Sequence, residues 1–204
     1  IALRVCGQAP ILQSAEGILR KQLEKRGLRV IPSGEAGIGI ELRLDSGISD
    51  ERFRISGPAH AAAVTAGSAS GLLAGIGKLL RTSHFSGDGM ELSDWRGESI
   101  PSSSVRGIQM DTHFCNYYHL APAAELEEYV EDLTLWGINC FEFVFPLIDL
   151  TGWGDPEVQH ITGQIRAIYD AARRLGLKTG LEIVPNQDFV DRREEFSASK
   201  NSEP

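Results

Sequence analysis

The sequence predicts an α/β protein: a small α/β sandwich domain, a mixed sheet with helices on one face, followed by the first three βα units of a (β/α)8 barrel. Three observations carry this prediction. Residues 1–95 read in the order β-α-β-β-β-β-α, residues 105–187 switch to strict β-α-β-α-β alternation, and the second group of strands is almost continuously apolar. Strands of that kind belong to a parallel sheet whose outside is covered by crossover helices.

Each element has its own signal. Ala2–Cys6 is a short apolar strand. Residues 11–26 place Ile11, Leu12, Ala15, Ile18, Leu19 and Leu23 on one helical face, and Gly27 stops the helix. Leu28–Ile31 reads as a second strand. Residues 38–44 alternate Ile38, Ile40, Leu42 and Leu44 with small or polar residues, the period of a strand. Residues 52–56 and 61–66 are strands around the turn at Gly57-Pro58. Ser68 or Ser70 caps a helix over 71–81, with Leu72, Leu73, Ile76, Leu79 and Leu80 as its apolar stripe. Glycines 71, 75 and 77 lie inside that helix, so they are close-packing positions and not a phosphate loop.

Residues 82–104, rich in Gly, Ser, Asp and Pro, read as a connection, with Trp95 expected at the junction between a domain of residues 1–95 and one of residues 96–204. The second domain opens with a strand over 105–110. A helix after Ala121-Pro122 buries Leu126, Tyr129, Val130, Leu133 and Trp136 and ends at Gly137. Strand 138–145, helix 156–175 and strand 178–184 follow. Asp191–Pro204 is polar and without periodicity, as in a frayed or disordered tail. Three βα units do not close an eight-stranded barrel. The expectation is therefore a fragment of a longer chain, or self-association through the open barrel edge.

Composition narrows the function. Of 204 residues 42% are hydrophobic and 24% charged, ordinary for a globular protein, and the net charge is −8 with no Lys/Arg cluster. That argues against nucleic acid as a partner. No apolar run is long enough to span a bilayer, so no membrane partner is expected. A removed signal peptide would make the protein secreted or periplasmic; a cytoplasmic location is equally compatible with the sequence. Cys6, Cys115 and Cys140 lack metal-ligand spacing, and Cys6 and Cys140 read as buried thiols in strands.

Chemistry in a barrel sits at the C-terminal ends of its strands. The first strand ends in Asp111 and His113, two apart and able to share a face, with Asn116 and Tyr117 in the loop beyond. A carboxylate and an imidazole there suit the hydroxyl groups of a substrate; a metal site and a purely structural pair are the other readings. Glu142 lies between Phe141 and Phe143, and Glu182 has a similar place in the third strand. Two carboxylates on nearby strands are what glycoside acid/base chemistry requires, so both are catalytic candidates as well as site-lining ones. The alternative is a buried polar layer paired with Arg or Lys. Asp149, Trp153 and Asn186 also follow strand ends, and a tryptophan in a Gly-rich loop suits the face of a sugar ring or caps the barrel top. No cofactor fingerprint follows the first strand, so no cofactor and no metal are expected.

The layout resembles glycoside hydrolase family 20, the β-N-acetylhexosaminidases, and related glucuronidase-type enzymes, which carry a small α/β domain before a (β/α)8 barrel. The similarity lies in Glu51-Arg-Phe-Arg-Ile-Ser56, Ala61–Ala66 and Ser70–Gly75 of the first domain. It continues in Arg106-Gly107 with Asp111, Leu135–Asn139, the loop from Asp149 to Trp153, and Glu182-Ile183. The chain departs from the family's pattern where Phe114 replaces a sugar-gripping arginine, Glu142 a histidine, and Pro185-Asn-Gln187 a Pro-Gly-His run. The family's catalytic Asp-Glu pair belongs to a later strand. The resemblance thus implies the N-terminal part of a glycoside hydrolase with a carbohydrate substrate. A carbohydrate-binding or interaction module, and a metal-dependent hydrolase using Asp111 and His113, are the alternatives.

Overall fold

The computed structural model describes residues 1–31, 37–49, 51–87, 89–111, 116–147 and 150–183. Its elements begin with β1 (Ala2–Cys6), α1 (Pro10–Glu24), β2 (Gly39–Leu44), β3 (Phe53–Ser56), β4 (Ala61–Ala66) and α2 (Ala69–Thr82). Three short strands follow: β5 (His84–Ser86), β6 (Gly89–Glu91) and β7 (Gly97–Ser99). The second half holds β8 (Gly107–Asp111), α3 (Tyr117–Leu120), α4 (Ala123–Leu135), β9 (Cys140–Val144), α5 (Pro156–Arg174) and β10 (Lys178–Glu182).

The first sheet has the order β1-β2-β4-β3-β7, with β1, β2 and β4 parallel and β3 and β7 antiparallel to their neighbours. Period-two alternation puts Ile40, Leu42, Ile55, Ala62 and Val64 on one face, where α1 and α2 cover them. Two helix signals act as the sequence predicts. Gly27 takes φ 76° after α1, and the Ser68 hydroxyl accepts from the Gly71 N–H at 3.2 Å at the start of α2. Glycines 75 and 77 are close-packing positions. A Cβ at Gly75 would come within 2.6 Å of Val64 Cγ1, and one at Gly77 would overlap the Leu135 carbonyl.

The second sheet, β10-β9-β8, is wholly parallel. Phe141, Phe143 and Met110 are fully buried on its helix side, toward α5 and the core. In turn α4 packs on α5 and on α2. The order through the molecule is therefore sheet, α1 and α2, α4 and α5, sheet. A single apolar cluster runs through it, from Leu12 to Leu177. Lys21 joins α1 to α4 by ion pairs with Glu131 (2.9 Å) and Glu128 (3.3 Å).

Three stretches that motifs singled out meet where the two halves join. Glu51 accepts from Asn139 Nδ2 at 2.7 Å and pairs with Arg106. Asn139, only 2% exposed, also accepts the Arg106 N–H at 2.8 Å and donates to the Ser104 carbonyl at 3.0 Å. The Arg106 guanidinium donates to the Gly137 carbonyl at 2.7 Å. These bonds fix the starts of β8 and β9 against the first half.

Several expectations need correction. Among the described residues Leu28–Ile31 forms no named strand: it meets the chain start at a bridge between Ile31 and Ala2, with bonds from the Ile31 N–H to the Ile1 carbonyl and from the Ile1 amino group to the Arg29 carbonyl, each 2.9 Å. Residues 82–104 are more than a connection. They form the β5–β6 hairpin, and β7 joins the first sheet beside β3, with Arg54 paired to Glu98. Trp95 packs within the first half, its ring 6.3 Å from Phe53 and 5.0 Å from Lys78 Nζ. Trp136 is 70% exposed. It stands at the C-cap of α4, past the last helical turn, where Thr134 and Leu135 already fill the buried side, and the Arg81 guanidinium covers its ring at 4.5 Å. The first strand of the second half starts at Gly107, leaving Val105 exposed. Cys6 and Cys140 lie in strands but are half-buried, not buried. The polar tail lies outside the described residues.

Candidate functional site

The parity of the second sheet builds the site. With Phe141 and Phe143 turned to the helices, Glu142 and its neighbours in register turn the other way. The register aligns Gln109 with Glu142 and Gly180, and Asp111 with Val144 and Glu182. One face thus carries three carboxylates, Asp111, Glu142 and Glu182, together with Gln109. Asp111 and Glu182 are the last residues of their strands and lie in one row. At the usual strand spacing their backbones are about 10 Å apart across β9. Glu142 lies one step below and is exposed, so its charge stays in water and the cost of an acid between two phenylalanines does not arise.

Local contacts hold these groups. Gln109 Nε2 donates to Glu182 Oε2 at 2.5 Å, a charge-assisted bond that reaches over β9. Gly180 leaves room beside Glu142, whose Cγ would lie 3.7 Å from a Cβ there. Gln109 shares this face with the candidate residues and was not among those singled out from the sequence. Its signal was present, since it alternates with Ile108 and Met110 in β8.

Asn116 links α3 to the end of β8. Its Oδ1 accepts from the His119 N–H at 3.2 Å, capping α3, and its Nδ2 donates to the Asp111 carbonyl. Its polar atoms are thus engaged with backbone. Tyr117 is 43% exposed, and its ring meets those of Tyr118 (5.7 Å) and Tyr129 (5.5 Å) edge-on. Burial, together with the hydrogen bond to the Tyr129 hydroxyl, pushes the Tyr118 phenol up to about 12.

Trp153 is placed apart from the carboxylates. Its ring stacks on Phe145 at 5.8 Å and borders an apolar cavity of about 300 Å³ with Ile165, Tyr169, Leu181 and Ile183. These neighbours belong to the helix side of the sheet, opposite Glu142 and Glu182. His113, Cys115, Asp149 and Asn186 lie outside the described residues. Among the described residues no group of three or more His, Cys, Asp or Glu side chains could hold a metal ion, and no helix is long and apolar enough to cross a membrane.

No protein-family model matches this chain, and no curated protein matches it in sequence. Solved structures do match. The family 20 exo-β-N-acetylglucosaminidase from Vibrio harveyi, in complex with N-acetylglucosamine, aligns with a TM-score of 0.63 at 15% identity, over 89% of this chain and 32% of that one. The family 20 β-N-acetylhexosaminidase from Streptomyces coelicolor A3(2) aligns with a TM-score of 0.65 at 20% identity, over 89% and 41%. A family 138 enzyme targeting pectin rhamnogalacturonan II aligns with a TM-score of 0.60 at 16% identity, over 88% and 24%. The chain therefore has the α/β fold found in the corresponding part of family 20 glycoside hydrolases. It spans between about a quarter and two-fifths of the length of these three structures. Enzymes of two glycoside hydrolase families share this arrangement, so the fold by itself does not select a sugar.

Proposed function

We propose that this chain is the N-terminal part of a glycoside hydrolase, with a small domain that extends through β7 and the opening strands of a barrel from β8 onward, and that the carboxylate face of β8–β10 lines its sugar site. One observation carries the reading: Asp111, Glu142 and Glu182 stand with Gln109 on a single open face at the C-terminal side of a parallel sheet. Carboxylates and a side-chain amide accept and donate to sugar hydroxyls without a metal or cofactor. The solved relative holding N-acetylglucosamine supports a sugar of that class. In this reading Asp111 and Glu182 grip hydroxyl groups at the rim, Gln109 orients Glu182, and Glu142 reaches the ring from below. Cleavage itself would fall to groups on further strands. His113, Asp149 and Asn186 remain proposed contributors from the loops.

Calorimetric titration of the chain with N-acetylglucosamine tests this. The expected result is saturable binding that Glu182→Gln weakens and that Asp111→Asn with Glu142→Gln abolishes. Binding unaffected by these changes would refute the assignment of the face. A second reading, an interaction module pairing through its sheet edge, draws on Leu181 and Ile183, 50% and 61% exposed beside the apolar cavity. Sedimentation showing a monomer at all concentrations would remove it.

A further inference from the structure

The short helix α3 lies between the end of β8 and the start of α4, and α5 grips it from behind. Glu157, His160 and Gln164 are spaced i, i+3, i+7, so they project from one face of α5. All three reach the same short segment. Gln164, 6% exposed, donates through Nε2 to the carbonyls of Tyr118 (3.2 Å), His119 (3.0 Å) and Ala121 (2.7 Å). His160 Nε2 donates to the His119 carbonyl at 2.5 Å. Glu157 Oε2 accepts from His119 Nε2 at 2.9 Å. A four-residue helix leaves its last carbonyls without intrahelical partners, and here another helix supplies the donors. The chain of contacts then continues forward. Asn116 caps α3 and donates to the carbonyl of Asp111, the last residue of β8.

We propose that Glu157, His160 and Gln164 are positioning residues that hold α3, and through Asn116 the end of β8, in the geometry that presents Asp111 and Tyr117 to a sugar. This rests on the reading of the carboxylate face as a sugar site. None of the three faces the carboxylates, so they act through α3 and not by contact with the ligand. Gln164 places a buried amide on a helix face otherwise lined by Ile161, Ile165 and Ile168. Its Nε2 donates to the carbonyls of Tyr118 and Ala121 and shares that of His119 with His160, bonds that an aliphatic side chain could not make.

The test uses the whole chain and two variants. Gln164→Leu removes the buried donor, and His160→Ala removes an exposed one with little risk to folding. The amides of His119, Leu120 and Ala121, which bond within the α3 turn, report its opening by hydrogen exchange; those of Ile168, Ala171 and Ala172 in α5 serve as controls. Losing donors to bare carbonyls predicts exchange about tenfold faster in α3 for Gln164→Leu, less for His160→Ala, with the α5 amides unchanged. The Asp111 and Asn116 amide resonances shift as well, and N-acetylglucosamine binds several-fold more weakly. Unchanged α3 exchange, unmoved Asp111 and Asn116 resonances, or sugar affinity equal to that of the parent chain overturns the inference. A parent chain that binds no sugar refutes the proposed function instead, while the exchange and resonance readouts still decide whether α5 holds α3.

Discussion

Replacing Asn139 by alanine tests the join between the two halves. The side chain is 2% exposed and makes three hydrogen bonds: to Glu51 Oε1 at 2.7 Å, to the Ser104 carbonyl at 3.0 Å, and from the Arg106 N–H at 2.8 Å. Each of the two neutral bonds contributes about 1 kcal/mol net, and one to a charged group about 1.5 kcal/mol or more. The Glu51 side chain is 22% exposed, so water partly replaces its lost donor, and the low end applies to that bond. The expected loss is about 3.5 kcal/mol, a large fraction of the stability of an ordinary domain. Denaturant unfolding should show it. Trp95 reports the first half, and Trp136 and Trp153 the second, so single-tryptophan forms read each separately. The parent chain is expected to unfold in one transition, and Asn139→Ala to lose the second half first. A loss below about 1 kcal/mol, or coincident transitions in the variant, would refute the role given to this network.

Three further outcomes follow from the same structure. Gly77→Ala gains about 1 kcal/mol of helix propensity but overlaps the Leu135 carbonyl, so a net loss of about 2 kcal/mol is expected by thermal unfolding, with Gly17→Ala, which has open space, as the stabilised control. Asp155 caps α5, and the N–H groups of Thr151 and Glu157 hold its carboxyl below the usual 3.8. Its contribution is therefore present above pH 3.8 and lost as the pH falls through the lower folded value, so far-ultraviolet dichroism should show α5 fraying in acid, and Asp155→Ala should remove that step. Tyr118 ionises in the fold only near pH 12 against 10.0 for a free phenol. The stability it lends is thus complete below pH 10.0 and declines toward 12, which tyrosinate absorbance compared with Tyr118→Phe will show.

Much of this was legible because burial imposes a period. The strands 105–110, 138–145 and 178–184 were legible as apolar runs, and with Phe141 and Phe143 toward the helices the period of two and the observed register place Asp111, Glu142 and Glu182 together on the other side. The same rule reaches Gln109. Helical spacing was less reliable at an end: Trp136 keeps the spacing of a buried stripe, but the helix has already stopped there. Leu28–Ile31 has strand composition but meets Ala2 only at a bridge, whereas β7 is a polar three-residue strand defined by its pairing with β3 and by Arg54 with Glu98. Pairing of that kind depends on residues more than forty positions away and leaves no local pattern. Trp153 was readable as an aromatic platform in a Gly-rich loop. Its side of the sheet was not, because a Gly-rich loop carries no periodicity. The convergence of Glu51, Arg106 and Asn139 shows that short motifs of this fold can mark a structural join as well as a site.

In the proposed function Asp111, Glu142 and Glu182 form one sugar-contacting face. Backbone amide shifts mapped during titration with N-acetylglucosamine test this. Concentration-dependent shifts are expected at Gln109, Asp111, Glu142 and Glu182, with Trp153 and the first sheet unmoved. Shifts confined to the Trp153 cavity, or none on the carboxylate face at saturation elsewhere, would contradict it.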